Sequence, residues 1–92
     1  MTAIINATLV MRDHYIPNAV LFMEDGKIVD FGEAKNLPVP EGCDVIDAKG
    51  LYVGPGFVDI HSHAGDMTWF YENPAKAAQG HLKHGTTTIL AT

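Results

Sequence analysis

The 92-residue chain is poor in cysteine, has no long hydrophobic run and gathers its positive charge nowhere. Each shortage excludes something. Cys43 is the only cysteine, so no internal disulfide can form, and a reducing cytoplasm is the simplest home. With no partner base beside it, Cys43 reads as an incidental small residue ahead of a strand. The N-terminal Met1-Thr2-Ala3-Ile4-Ile5-Asn6 carries no positive leader, and Asn, Asp and Gly interrupt the apolar runs. A signal peptide and a membrane span are therefore not expected. The six basic residues are scattered and the net charge is −5, which excludes the basic stripe that gathers phosphate backbones and the polybasic patch that seeks anionic lipid. Neither nucleic acid nor membrane is expected as a partner. What is present is the composition of a globular protein, 47% apolar and 18% charged. The length suits one domain, or one domain and a piece of another.

The first half reads as short strands joined by tight turns. Residues 3–10 are β-prone, with a weak interruption at Asn6, and residues 15–23 follow after Arg12-Asp13-His14. Asp25-Gly26 between apolar runs is a strong signal for a two-residue hairpin, returning through 27–31 to Gly32. The stretch 33–43, with Pro38, Pro40 and Gly42, reads as a loop. Residues 44–47 and 51–53 are two further short strands around an Ala48-Lys49-Gly50 turn. Strands at this spacing predict a small β-sandwich over residues 1–54.

The pattern changes at Gly54-Pro55-Gly56. Phe57-Val58-Asp59-Ile60-His61-Ser62-His63 reads as a buried strand. Asn73 is a favoured N-cap and Pro74 a favoured first helical residue, so a helix is predicted from there to about residue 84. Gly85 stands where a left-handed C-terminal residue belongs, and Thr86 to Leu90 is a β-branched second strand. Strand, helix, strand is one βαβ unit with parallel strands. One such unit has two open edges and cannot bury both strand faces. The expectation is a piece of a longer protein, whose open edges pair with or swap into another copy if it is ordered alone, giving a homo-oligomer.

His61 and His63 carry the chemistry. Side chains at i and i+2 of a strand project to one face, so the two imidazoles point together, with Asp59 and Phe57 below them. Two imidazoles at this spacing chelate one divalent ion, and the C-terminal end of a parallel strand is where α/β architectures place their chemistry. The small loop Ala64-Gly65-Asp66-Met67 leaves room for a ligand. A His-x-His pair also arises by chance, and buried histidines are often satisfied by hydrogen bonds alone.

Pro55-Gly56-Phe57-Val58-Asp59-Ile60-His61-Ser62-His63 resembles the first barrel strand of the amidohydrolase superfamily. The segment His81-Leu82-Lys83-His84-Gly85-Thr86-Thr87-Thr88-Ile89-Leu90-Ala91-Thr92 resembles the first helix end and second strand of N-acetylglucosamine-6-phosphate deacetylases. The strands around Asp25-Gly26-Lys27-Ile28 and the Asp47-Ala48-Lys49-Gly50 turn resemble the β-sandwich that precedes that barrel. The fold class implied is α/β with a β-sandwich: residues 1–54 a small sandwich domain, residues 55–92 the first βαβ unit of a truncated (β/α)8 TIM-like barrel. The resemblance further implies a divalent metal, zinc first, with iron, manganese or cobalt as alternatives. His61 and His63 are the metal ligands it places in this chain. Later ligands and a general acid/base aspartate are expected downstream, so no catalytic residue is expected here. The metal acidifies water and polarises the scissile carbonyl. The implied substrate is a small-molecule amino-sugar phosphate, deacetylated to the free amine and acetate. Two imidazoles fall short of the three protein ligands usual at catalytic zinc, so this chain alone is expected to be inactive. There are departures: the run after the histidines is Ala64-Gly65-Asp66 where the deacetylases often have a glycine cluster, and the loop with Trp69-Phe70-Tyr71 is differently built. Another cyclic amidohydrolase, like a dihydroorotase or hydantoinase, is the alternative; a non-catalytic β-sandwich interaction module is the other.

The remaining candidates each have two readings. Asp59 either orients a ligand histidine or has its carboxylate satisfied by backbone groups, the commoner case. His81 and His84, three apart on a helix, are expected to be structural, because that helix packs outside a barrel. Trp69, Phe70 and Tyr71 either wall a substrate pocket or pack their loop. Thr92 ends the second strand and is a further candidate to reach the site.

Overall fold

The computed structural model describes residues 1–91. The chain divides into two compact units, Met1–Gly54 and Pro55–Thr92.

In the first unit, strand β1 (Thr2–Val10) is the organising element. It pairs antiparallel with β2 (Tyr15–Glu24), which pairs antiparallel with β3 (Lys27–Glu33). Asp25 and Gly26 both have positive φ (52° and 74°), the conformation a two-residue hairpin with twisted strands demands. β3 runs on through Gly32 to Glu33, and a 3-10 turn, Ala34–Asn36, begins the connection beyond it.

On its other side β1 takes two partners in succession. β4 (Asp44–Asp47) runs parallel to its first half and β5 (Tyr52–Val53) parallel to its second. The Ala48-Lys49-Gly50 turn thus joins two strands that lie end to end along β1. Asn6 marks the changeover: its φ is 53°, its carbonyl accepts from Gly50 N at 2.7 Å, and its Nδ2 donates to Asp47 Oδ1 at 3.0 Å. A left-handed residue inside a strand is a bulge, and a bulge shifts the alternation of side chains. Ala3 and Ile5 accordingly pack with Val20, Phe22, Leu37 and Cys43. Beyond the bulge, Ala7 and Leu9 pack with Ile4, Ala19, Leu21, Ala48 and Val53.

Here the structure departs from the predicted sandwich. The strands of Met1–Gly54 form one five-stranded sheet, not two facing sheets. Because Asn6 divides the apolar side chains between two clusters, neither gathers the continuous apolar face that a second sheet would cover.

The second unit contains the predicted βαβ order. β6 (Phe57–Ser62) pairs in parallel with β9 (Thr86–Ala91), and helix α1 (Pro74–Leu82) lies between them in sequence. Asn73 Oδ1 caps the helix, accepting from Lys76 N at 3.2 Å, with Pro74 in its first turn; Gly85 takes φ 91° after its end. β6 is not the buried strand predicted: Phe57, Val58 and Ile60 are 66%, 65% and 75% exposed. A two-stranded sheet with a single helix has too little mass to cover them. The loop after His63 is also more ordered than predicted. It is a hairpin of β7 (Ala64–Gly65) and β8 (Thr68–Trp69), turned by Asp66 and Met67 with φ 48° and 57°. Thr92 lies outside the described residues, and so does its candidacy for the site.

Candidate metal centre

The two predicted ligands come together. His61 sits at the C-terminal end of β6, and His63 is the residue between β6 and the β7–β8 hairpin. Their Nε2 atoms are 3.1 Å apart while the ring centroids are 4.8 Å apart, with planes at 88°. The nitrogen tips therefore converge. Both rings are exposed.

That separation suits two arrangements. With a proton on one Nε2 it is a hydrogen bond between neutral rings. With both Nε2 atoms bare, an ion roughly 2.0–2.1 Å from each would subtend about 98°, between the angles of octahedral and tetrahedral coordination. The separation of the two nitrogens thus suits two ligands of one divalent ion. No group of three or more His, Cys, Asp or Glu side chains able to hold a metal occurs among the described residues. The pair alone supplies fewer than the three protein ligands usual at catalytic zinc.

The other candidates separate clearly. Asp59 Oδ1 accepts from His61 N at 3.1 Å, so its carboxylate is satisfied by the backbone of its own strand. His81 engages the residues on either side of His63: its Nε2 lies 2.7 Å from the Ala64 carbonyl oxygen and 3.1 Å from Ser62 Oγ, and its ring stacks on Phe70 at 5.8 Å. His84 is exposed at the helix end, its N–H donating to the His81 carbonyl at 3.1 Å. Trp69 and Tyr71 stack on each other at 6.0 Å, and Phe70 lines a cleft between α1 and β9 together with Leu82, Thr86 and Ile89. That cleft includes neither His61 nor His63. Among the described contacts the aromatic residues thus engage their own segment: Trp69 with Tyr71, and Phe70 with His81. The one contribution that sequence reasoning missed is Ser62, buried between the two exposed histidines. Its alternation out of phase with them was the available signal.

Comparison with known proteins identifies the family. Residues 44–89 match the model of a family described as amidohydrolase. The chain is 42% identical over 71 residues to a dihydroorotase of Aquifex aeolicus, covering 76% of this chain and 16% of that protein. It is 44% identical over 70 residues to an adenine deaminase of Lactobacillus delbrueckii subsp. bulgaricus, covering 75% of this chain and 11% of that protein. Among solved structures it resembles a D-hydantoinase (dihydropyrimidinase) from Thermus sp., with TM-score 0.66 and 36% identity, covering 97% of this chain and 19% of that one. The chain thus spans less than a fifth of the length of these relatives. Their names support the superfamily at large and do not single out N-acetylglucosamine-6-phosphate deacetylases within it.

Proposed function

Because the chain belongs to the amidohydrolase family, whose members generally bind divalent metals, we propose that His61 and His63 are two ligands of such an ion in an enzyme that hydrolyses C–N bonds. The observation that carries the proposal is the convergence of two imidazole Nε2 atoms to 3.1 Å at the C-terminal end of a parallel strand. The ion, when bound, supplies acidified water and polarisation of the scissile group. The chain's own contribution is to hold two neutral donors at one point. His61 is fixed by β6, where Asp59 also engages its N–H. His63 is fixed by the hairpin, since its carbonyl accepts from Phe70 N at 2.9 Å. The remaining ligands and the group that moves the proton belong, on this proposal, to residues outside these 92.

The relatives support a substrate in which the C–N bond is part of, or attached to, a ring, since they are named dihydroorotase, hydantoinase and adenine deaminase. The segment from His81 to Thr87 supports a second reading, deacetylation of N-acetylglucosamine 6-phosphate. A panel of dihydroorotate, hydantoin, adenine and N-acetylglucosamine 6-phosphate, given to the complete zinc-loaded protein, separates them. Turnover of a ring substrate supports the first, release of acetate the second, and turnover of none contradicts the enzymatic proposal. At the level of the ligands, calorimetric titration of the chain with zinc is expected to show one site, lost in the double variant His61→Ala, His63→Ala. Equal binding by wild type and double variant contradicts it and favours a non-catalytic module.

A further inference from the structure

The two histidines belong to different pieces of secondary structure. His61 rides on β6, paired with β9, while the carbonyl of His63 is tied to Phe70 at the base of the β7–β8 hairpin. Whether their rings converge therefore depends on the joint between strand and hairpin. That joint is Ser62, and it is the only buried polar residue among those described.

A closed triangle of contacts holds the joint. Ser62 Oγ donates to the Ala64 carbonyl oxygen at 3.2 Å; His81 Nε2 lies 2.7 Å from the same oxygen and 3.1 Å from Ser62 Oγ. A carbonyl only accepts, so the His81 ring must carry its proton on Nε2. That N–H is shared between the Ala64 oxygen and Ser62 Oγ. The helix comes close enough to reach because two glycines face the contact. A Cβ on Gly65 would overlap the Ala77 carbonyl oxygen and the His81 ring, and one on Gly80 would overlap the Asp66 backbone. Phe70 stacks on the other side of His81, and Lys83 Nζ lies 3.8 Å from Asp66 Oδ2.

We propose that His81, acting through Ser62 and the Ala64 carbonyl, is the positioning residue that sets the separation of His61 and His63. This rests on the proposal that the pair binds a metal. Helix α1 thus does more than cross over between strands: it fixes the geometry of a site to which it is not proposed to give a ligand. Residues that orient metal ligands typically change affinity 10- to 100-fold when removed.

The test is cobalt(II) and zinc binding by the chain, with the fold followed by circular dichroism. His81→Leu removes the shared proton and is expected to weaken binding at least about tenfold and to alter the visible spectrum of bound cobalt. His81→Gln retains an N–H donor and is expected to restore affinity to within about threefold. Ser62→Ala leaves the His81 to Ala64 contact and is expected to weaken binding less than His81→Leu. If His81→Leu does not fold, the comparison of His81→Gln with Ser62→Ala decides, and equal, wild-type affinity in both with an unchanged cobalt spectrum supports a purely structural His81 and overturns the inference. Unchanged affinity and spectrum in a folded His81→Leu also overturn it. Failure of the wild-type chain to bind either ion overturns the metal proposal itself, which is a different outcome.

Discussion

Asn6 and Asp47 show how much one residue decides. Asn6 takes the left-handed conformation at an irregularity of β1, between the stretches that pair with β4 and β5, and Asp47 Oδ1 accepts both from its side chain at 3.0 Å and from Lys49 N at 2.8 Å. The Asn6 hydrogen bond, and secondly the Lys49 N–H, hold the Asp47 carboxyl below the usual carboxylate range. A carboxyl lowered in the folded state adds stability that is present above its unfolded value and lost as pH falls through the lowered one. Asp47→Asn keeps an acceptor oxygen and removes the titration. Denaturant unfolding between about pH 5 and pH 2 should therefore show a shallower loss of stability in Asp47→Asn than in wild type. A smaller residual slope should persist from Asp13, whose carboxyl His14 lowers in the same way. An unchanged acid limb would contradict the assignment. The histidine pair was legible at this scale because alternation along a strand needs no tertiary information. The Ser62 joint was not, because its partner His81 stands nineteen residues away.

Among the elements, local chemistry announced some and concealed others. The Asp25-Gly26 turn, the Asn73-Pro74 helix start and the Thr86–Ala91 strand were legible because capping and turn residues act within a few positions. Replacing Asn73 with alanine removes the acceptor for Lys76 N and should cost about 1 kcal/mol of stability, read from the denaturant midpoint. The β7–β8 hairpin was not legible, since its turn is Asp66-Met67 with no glycine. Met67 holds φ 57° with its side chain fully in solvent, so nothing packs to offset the backbone cost. Met67→Gly should raise stability by about 0.5–1 kcal/mol, the difference between relieved left-handed strain and the added entropy of glycine. A lower melting temperature in that variant would contradict the turn geometry.

For the molecule as a whole, the two units differ in what they bury. Met1–Gly54 has two apolar clusters built on β1 and β2, whereas Ala77 is the only buried hydrophobic described from Pro55 onward. Amide exchange should therefore be slowest in β1 and β2 and markedly faster in β6 and β9. Equal protection would mean that Phe57, Val58 and Ile60 are covered by something. Apart from the β7–β8 hairpin and the 3-10 turn, the order of elements could be read from the chain; the single sheet in place of a sandwich could not, because the bulge at Asn6 redistributes side chains that a simple alternation assigns to one face. No helix among the described residues is long and apolar enough to cross a membrane. With two imidazoles and no third His, Cys, Asp or Glu grouped with them among the described residues, the purified 92 residues should turn over none of the panel substrates even when loaded with zinc.

The most direct test of the metal centre is the position of the ion itself. Crystals of the chain grown with zinc, and measured on both sides of the zinc absorption edge, should give one anomalous peak roughly 2.0–2.1 Å from Nε2 of both His61 and His63. A peak bound to only one of them, or zinc found solely elsewhere on the surface, would contradict the account.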